Sequence, residues 1–254
     1  ISGASIGSVL GFCYYANELD SYIGYMNQIQ QNFKEECSLQ SCQTLFHSVI
    51  ENMSNETFDA MKNDKLYITY YDVTNKKQVL QSTYSNKDDL YTGIVSSCYI
   101  PFLLGDTITY SDNSACDGDY IDGGQPYIFN NRSSNDTKIL YVSINQVDRL
   151  KNILSLHKEH NQKGRVLEGI IDAIQFFMYN KKTKLCSYVN EWSILDFGYI
   201  RIKQFGMLFI SYIIFGILVL WKCVPQQVKD SNAYSIVKST IQWFGKDMIL
   251  LYCF

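Results

Sequence analysis

The sequence predicts a layered α/β domain with a central mixed sheet and, after it, a C-terminal hydrophobic helix. Three observations carry that prediction. From Asn17 to about residue 63, apolar side chains recur at intervals of three and four, the period of helices that bury one face. At Lys65 the period falls to two, as in strands. Phe205 to Trp221 is a run of seventeen residues without a charge.

Each element follows from its own residues. Ile1 and Ser2 read as the end of a strand, and Gly3-Ala4-Ser5-Ile6-Gly7 as a G-x-S-x-G elbow, in which glycines remove the Cβ atoms that would collide at a sharp turn. Ser8 to Ala16 has the small, apolar character of a buried helix leaving that turn. Leu19, Tyr22, Ile23, Met26, Ile29 and Phe33 mark an amphipathic helix over residues 17 to 33. Leu45, Phe46, Val49, Ile50 and Met53 mark a second, and Asn55-Glu56-Thr57 opens a short third.

Residues Lys65 to Asp72 and Gln78 to Tyr84 are β-branched and aromatic, joined by the turn residues Thr74 to Lys77, and predict a hairpin or two adjacent strands. Asp88 to Cys98 predicts a helix capped by Asn86 or Ser85. Pro101 stops it, because the residue before a proline is driven out of helical geometry. Lys138 to Asn145 is a short apolar run of the kind buried on both faces in a parallel or mixed sheet. Val166, Leu167, Ile170, Ile171, Ile174, Phe177 and Met178 then predict a long helix packing back on that sheet.

The uncharged run of residues 205–221 is bracketed by Arg201 and Lys203 on one side and Lys222 and Pro225 on the other. Seventeen residues is near the lower limit for crossing a bilayer, and the aromatic and basic flanks favour a membrane segment over a buried core helix. Residues 222–254 carry a weaker amphipathic pattern. The expected organisation is a catalytic-type domain over residues 1–200, a candidate transmembrane helix over 205–221 and a tail over 222–254.

A second motif, Asp122-Gly123-Gly124, stands downstream of the elbow, and Val95-Ser96-Ser97-Cys98-Tyr99-Ile100-Pro101-Phe102 lies between the two. In order and in kind, these three features resemble the patatin-like phospholipases, whose aspartate motif is D-G-[GA] and follows a small-residue helix ending in Ile-Pro. The resemblance covers about residues 1 to 145. It implies a patatin-like layered α/β/α fold, a Ser5–Asp122 dyad without histidine, and an ester of a phospholipid or other acyl lipid as substrate, with a membrane as partner and no cofactor or metal. It gives Ile6, the residue after the nucleophile, the backbone N–H that meets the oxyanion. Gly3, Gly7, Gly123 and Gly124 are the motif glycines. In this family a glycine-rich loop precedes the elbow, so the resemblance also implies an upstream segment beyond residues 1–254. Asp117-Gly118 is followed by Asp119 and lacks the motif's third residue.

Two alternatives stay open on the sequence. One is a catalytically silent patatin-like interaction module at a membrane. The other is a Ser-His-Asp triad on an α/β-hydrolase fold, for which His157 or His160 would serve. Both histidines sit in the charged segment Leu156-His157-Lys158-Glu159-His160, which reads as a solvated helix surface. His47 reads as a packing or surface residue. A formal net charge of -3 gives no basic footprint for nucleic acid. Eight cysteines, at 13, 37, 42, 98, 116, 186, 223 and 253, show no C-x-x-C pair or metal-ligand spacing, and suit a reducing compartment. The sequons at Asn52, Asn55, Asn131 and Asn135 follow from a composition rich in asparagine and serine.

Overall fold

The computed structural model describes residues 1–36, 38–111, 118–129, 138–143, 162–229, 231–232, 234–237, 239–240 and 243. Five strands, β1 (Ser2–Ala4), β2 (Asn63–Asp72), β3 (Lys77–Thr83), β4 (Tyr110–Ser111) and β5 (Asp119–Asp122), form one mixed sheet. β3 pairs antiparallel with β2 from Ile68 opposite Gln81 to Asp72 opposite Lys77, as the predicted hairpin requires. The other edge of β2 is shared. β1 runs parallel to it, with Ala4 opposite Thr69, and β5 runs antiparallel, with Asp122 opposite Tyr70. The C-terminal ends of β1 and β5 therefore meet head-on beside two consecutive residues of β2.

Side-chain alternation along β2 gives the sheet two buried faces. Leu66 and Ile68 join a core with Val9 and Phe12 of α1 (Ile6–Ala16), Ile50 of α3 (Ser41–Asn52), Phe58 and Met61 of α4 (Asn55–Met61), and Leu90, Ile94 and Val95 of α5 (Lys87–Cys98). Each fully buried aliphatic side chain of this kind contributes about 1.5–3 kcal/mol. α2 (Leu19–Glu36) adds buried Ile29. Caps fix the helix starts: Asn86 Oδ1 accepts from the Asp89 N–H at 2.8 Å, and Ser54 Oγ from the Thr57 N–H at 3.1 Å. α5 ends at Tyr99, which is extended, two residues before Pro101.

The opposite face carries Tyr71, Val73 and Ile121, which pack against Ile214. The chain forms two compact units, one made of Ile1–Ile128 and Ile202–Lys246, the other of Phe129–Arg201 and Asp247–Phe254. Within the second unit, β6 (Leu140–Val142) and β7 (Cys186–Tyr188) form a separate antiparallel ribbon. α6 (Gln162–Tyr179) contributes buried Phe176, whose ring lies 4.8 Å from that of Tyr188, and Asp172, which accepts from the Leu185 N–H at 2.6 Å and from Thr183 Oγ1 at 2.7 Å.

Two expectations are corrected here. The run containing Leu140–Val142 is not a strand of the central sheet buried on both faces: among the described residues it pairs with β7 alone, and Val142 is 55% exposed. The helix over 162–179 exists, but Val166, Leu167, Ile170, Ile171, Ile174, Phe177 and Met178 are all exposed. A two-stranded ribbon offers too little surface to cover so wide an apolar stripe, and it takes only the side of the helix that carries Asp172 and Phe176.

α7 (Ile194–Cys223) contains the uncharged run, and Ile194–Trp221 is long and apolar enough to cross a membrane by length and composition. Beyond it, α8 (Gln226–Lys229) is short, and the Trp221 indole N–H donates to the Tyr234 hydroxyl.

Candidate active site

The elbow forms because β1 ends where α1 must begin. Ser5 joins them with φ 53° and ψ -133°, a conformation outside the regions open to residues with a Cβ and costing about 1–3 kcal/mol. Three interactions hold it there. Its N–H donates to Ser97 Oγ at 2.9 Å, and its carbonyl accepts from the Ser8 N–H at 2.9 Å and from Ser8 Oγ at 2.7 Å. Ser97 Oγ in turn donates to the Thr69 carbonyl at 2.8 Å, so α5, β2 and the elbow are tied through one buried hydroxyl.

The two elbow glycines differ in kind. A Cβ on Gly3 would lie 2.3 Å from the Gly7 carbonyl oxygen, which makes glycine obligatory where the strand passes the helix start. A Cβ on Gly7 would meet nothing within 4 Å. Ile6 opens α1, so its N–H has no acceptor inside the helix and lies at the positive end of the helix dipole.

Asp122 ends β5, and its own N–H donates to the Tyr99 carbonyl at 3.1 Å. The chain then turns under two constraints. A Cβ on Gly123 would sit 2.5 Å from the Thr69 carbonyl oxygen. Gly124 takes φ 66°, where a Cβ would be 2.7 Å from Met207 Cγ. That turn aims the Gly124 N–H at Asp122 Oδ1, 2.7 Å away.

Ser5 and Asp122 are brought together by the head-on meeting of β1 and β5, with the Ser5 side chain near enough to the Asp122 carboxylate to favour its charged form. Burial raises the Asp122 carboxyl to about 6, and the Ser5 side chain and the hydrogen bond from the Gly124 N–H act in the opposite direction. A carboxylate with that value is ionised at neutral pH yet close enough to it to take and return a proton. The adjoining Cys98 thiol is pushed well above its usual range by burial, with the Asp122 charge adding to the effect, and stays a neutral core group 3.7 Å from Ser8 Oγ.

All seven residues named from the motifs are at this junction or its flanks. Sequence reasoning missed Ser8, Ser97, Thr69 and Met207. Ser97 sat inside a run already singled out for its small residues, but nothing local distinguishes it from Ser96. His157 and His160 lie outside the described residues. His47 is on the surface of α3, its ring 5.2 Å from that of Tyr91. His47, Glu51 and Asp88 place ligand atoms within 4.8 Å of one another, the one such grouping among the described residues; all three are solvent-exposed and none belongs to the Ser5–Asp122 junction. Cys13, Cys42, Cys98 and Cys186 are buried free thiols and Cys223 an exposed one.

Comparison of the chain with models of known families, with curated proteins and with solved structures yields no match.

Proposed function

We propose that the chain is a serine ester hydrolase of the patatin-like type, acting on acyl lipids at a membrane through Ser5 and Asp122. The observation that carries the reading is the strained Ser5 at the start of α1, with its side chain beside the desolvated Asp122 carboxylate. A serine held off its preferred backbone geometry needs a reason, and exposing a nucleophile above a helix N-terminus supplies one.

In the proposed reaction Asp122 takes the Ser5 hydroxyl proton as Oγ attacks the acyl carbonyl carbon. The oxyanion forms at the N-terminus of α1, where the Ile6 N–H donates to it. Collapse breaks the ester bond, and Asp122 returns the proton to the leaving alcohol. Water then attacks the acyl-Ser5 ester, again losing its proton to Asp122, and release of the fatty acid restores the Ser5 hydroxyl. The carboxylate thus serves as base and acid in both halves, so the dyad needs no histidine. The long apolar helix agrees with a membrane setting for such a substrate.

The test is release of fatty acid from phospholipid vesicles by the full chain. Release that disappears in Ser5→Ala, by a factor on the order of 10⁴ or more, supports the reading. Absence of release, or equal release by Ser5→Ala, would favour the silent interaction module.

A further inference from the structure

α7 is apolar on every side from residue 205 to 221, yet its sides have different neighbours. Ser211 and Ile214 are buried, and Leu208, Phe215 and Leu218 pack with Ile214 against the sheet residues Tyr71, Val73 and Ile121. Met207 sits on Gly124, and Lys76 Nζ, at the hairpin turn, lies 4.0 Å from the Phe215 ring centroid. These contacts recur every three to four residues and define one docked stripe.

A second stripe faces the opposite way. Ile202, Phe205, Phe209, Ile213 and Leu220 follow the same period about half a turn away, with Phe209 67% and Leu220 71% exposed. Large apolar side chains in a continuous exposed row are rare on soluble proteins. Its occupant follows from composition: the row has no charge within residues 205–221, and basic residues stand only at its ends, at Arg201, Lys203 and Lys222. Hydrocarbon suits the row and anionic headgroups suit its ends.

Crossing the bilayer is a different matter. The helix could span only if the docked stripe left Tyr71, Val73 and Ile121 bare, or if Asp72, Lys76 and Lys77 followed it into hydrocarbon. Either is costly.

We infer that residues 202–220 form an in-plane docking surface for a phospholipid bilayer, with the inner stripe on the sheet, the outer stripe in the lipid and the helix axis along the membrane. Because Met207 rests on the Asp122–Gly124 turn, docking holds that turn about one helix diameter, roughly 10 Å, from the lipid. The inference rests on the packing of α7 and is independent of whether Ser5 is catalytic.

The experiment uses the full chain carrying Ser5→Ala, so that hydrolysis plays no part. It is mixed with vesicles of phosphatidylcholine and a minority of phosphatidylserine that contain a diazirine-bearing phospholipid, irradiated, and mapped by peptide mass spectrometry. Labelling at Ile202, Phe205, Phe209, Ile213 and Leu220, with Leu208, Ser211, Ile214 and Leu218 spared, is the expected result. Labelling around the whole circumference would show a spanning helix and overturn the inference. No labelling of α7, including shielding of the outer stripe by a second copy of the chain, would overturn it too. As a second measurement, Phe205→Ser with Phe209→Ser should weaken vesicle binding by roughly a hundredfold or more while leaving the melting temperature unchanged. Undiminished binding would contradict the assignment of the outer stripe.

Discussion

The Ser97 hydroxyl accepts from the Ser5 N–H at 2.9 Å and donates to the Thr69 carbonyl at 2.8 Å. A single buried side chain of α5 thus holds the strained residue of the elbow against the central strand. Ser97→Ala removes both bonds at once and leaves the Ser5 N–H without its acceptor. Unfolding free energy should fall by about 1–3 kcal/mol, visible as a lower denaturant midpoint at constant slope. An unchanged midpoint would mean that the elbow is held by Ser8 and the sheet alone.

The elbow glycines should respond in opposite ways. Gly3→Ala forces a Cβ against the backbone oxygen of Gly7, which no side-chain movement relieves, and should destabilise by about 3 kcal/mol or more or prevent soluble folding. Gly7→Ala meets open space inside a helix, where alanine is favoured over glycine, and should raise stability by up to about 1 kcal/mol. Gly124→Ala falls between them, since it strains φ 66° and pushes the flexible Met207. Thermal melts of the three variants check the order, and a Gly3→Ala protein as stable as Gly7→Ala would contradict it.

Burial of Asp122 has a sign that stability measurements can read. Its carboxyl is raised from 3.8 to about 6 on folding. Below pH 3.8 both states are protonated and nothing is lost. As pH rises through the folded value the native state must ionise a buried group, and stability is lost by about 3 kcal/mol or less. Asp122→Asn should therefore be more stable than the unaltered chain at pH 8, with the gain fading below pH 4. A gain that is absent at pH 8, or grows as pH falls, would rule out a buried, raised carboxyl.

The same value sets the expected pH dependence of the proposed hydrolysis. Asp122 must be ionised to take the Ser5 proton, so kcat/KM should fall as pH drops through about 6. The limb should have the slope of a single proton. A limb centred near 4, or none, would separate the activity from Asp122.

Local rules made part of this architecture legible in advance. The alternation of residues 65–72 and 78–84 gave the hairpin. Asn86 or Ser85 at one end and Pro101 at the other bracketed α5, and Gly3 reported a close backbone approach that only glycine permits. What lay beyond local rules was pairing. Nothing in Asp119–Asp122 states that it meets β1 end to end along β2, and no feature of Ser97 announces a partner in Ser5. The misread elements share that cause. An apolar period at Val166 to Met178 shows that a stripe exists, not what covers it, and the short run at Leu140–Val142 does not say to which sheet it belongs. α7 is the mixed case: its composition predicted a membrane contact, whereas its docked stripe became visible only with Tyr71, Val73 and Ile121 beside it.

The central claim is that Ser5 is a nucleophile activated by Asp122 and by no histidine. Intact-protein mass spectrometry after treatment with a fluorophosphonate tests it most directly, because the reagent captures an activated serine whatever the natural substrate is. The account predicts one adduct, mapped to Ser5 and absent in Ser5→Ala. Asp122→Asn should slow its formation by on the order of 10³-fold or more, and His157→Ala and His160→Ala should leave the rate nearly unchanged. An adduct on another residue, no adduct, or a histidine variant as slow as Asp122→Asn would contradict it.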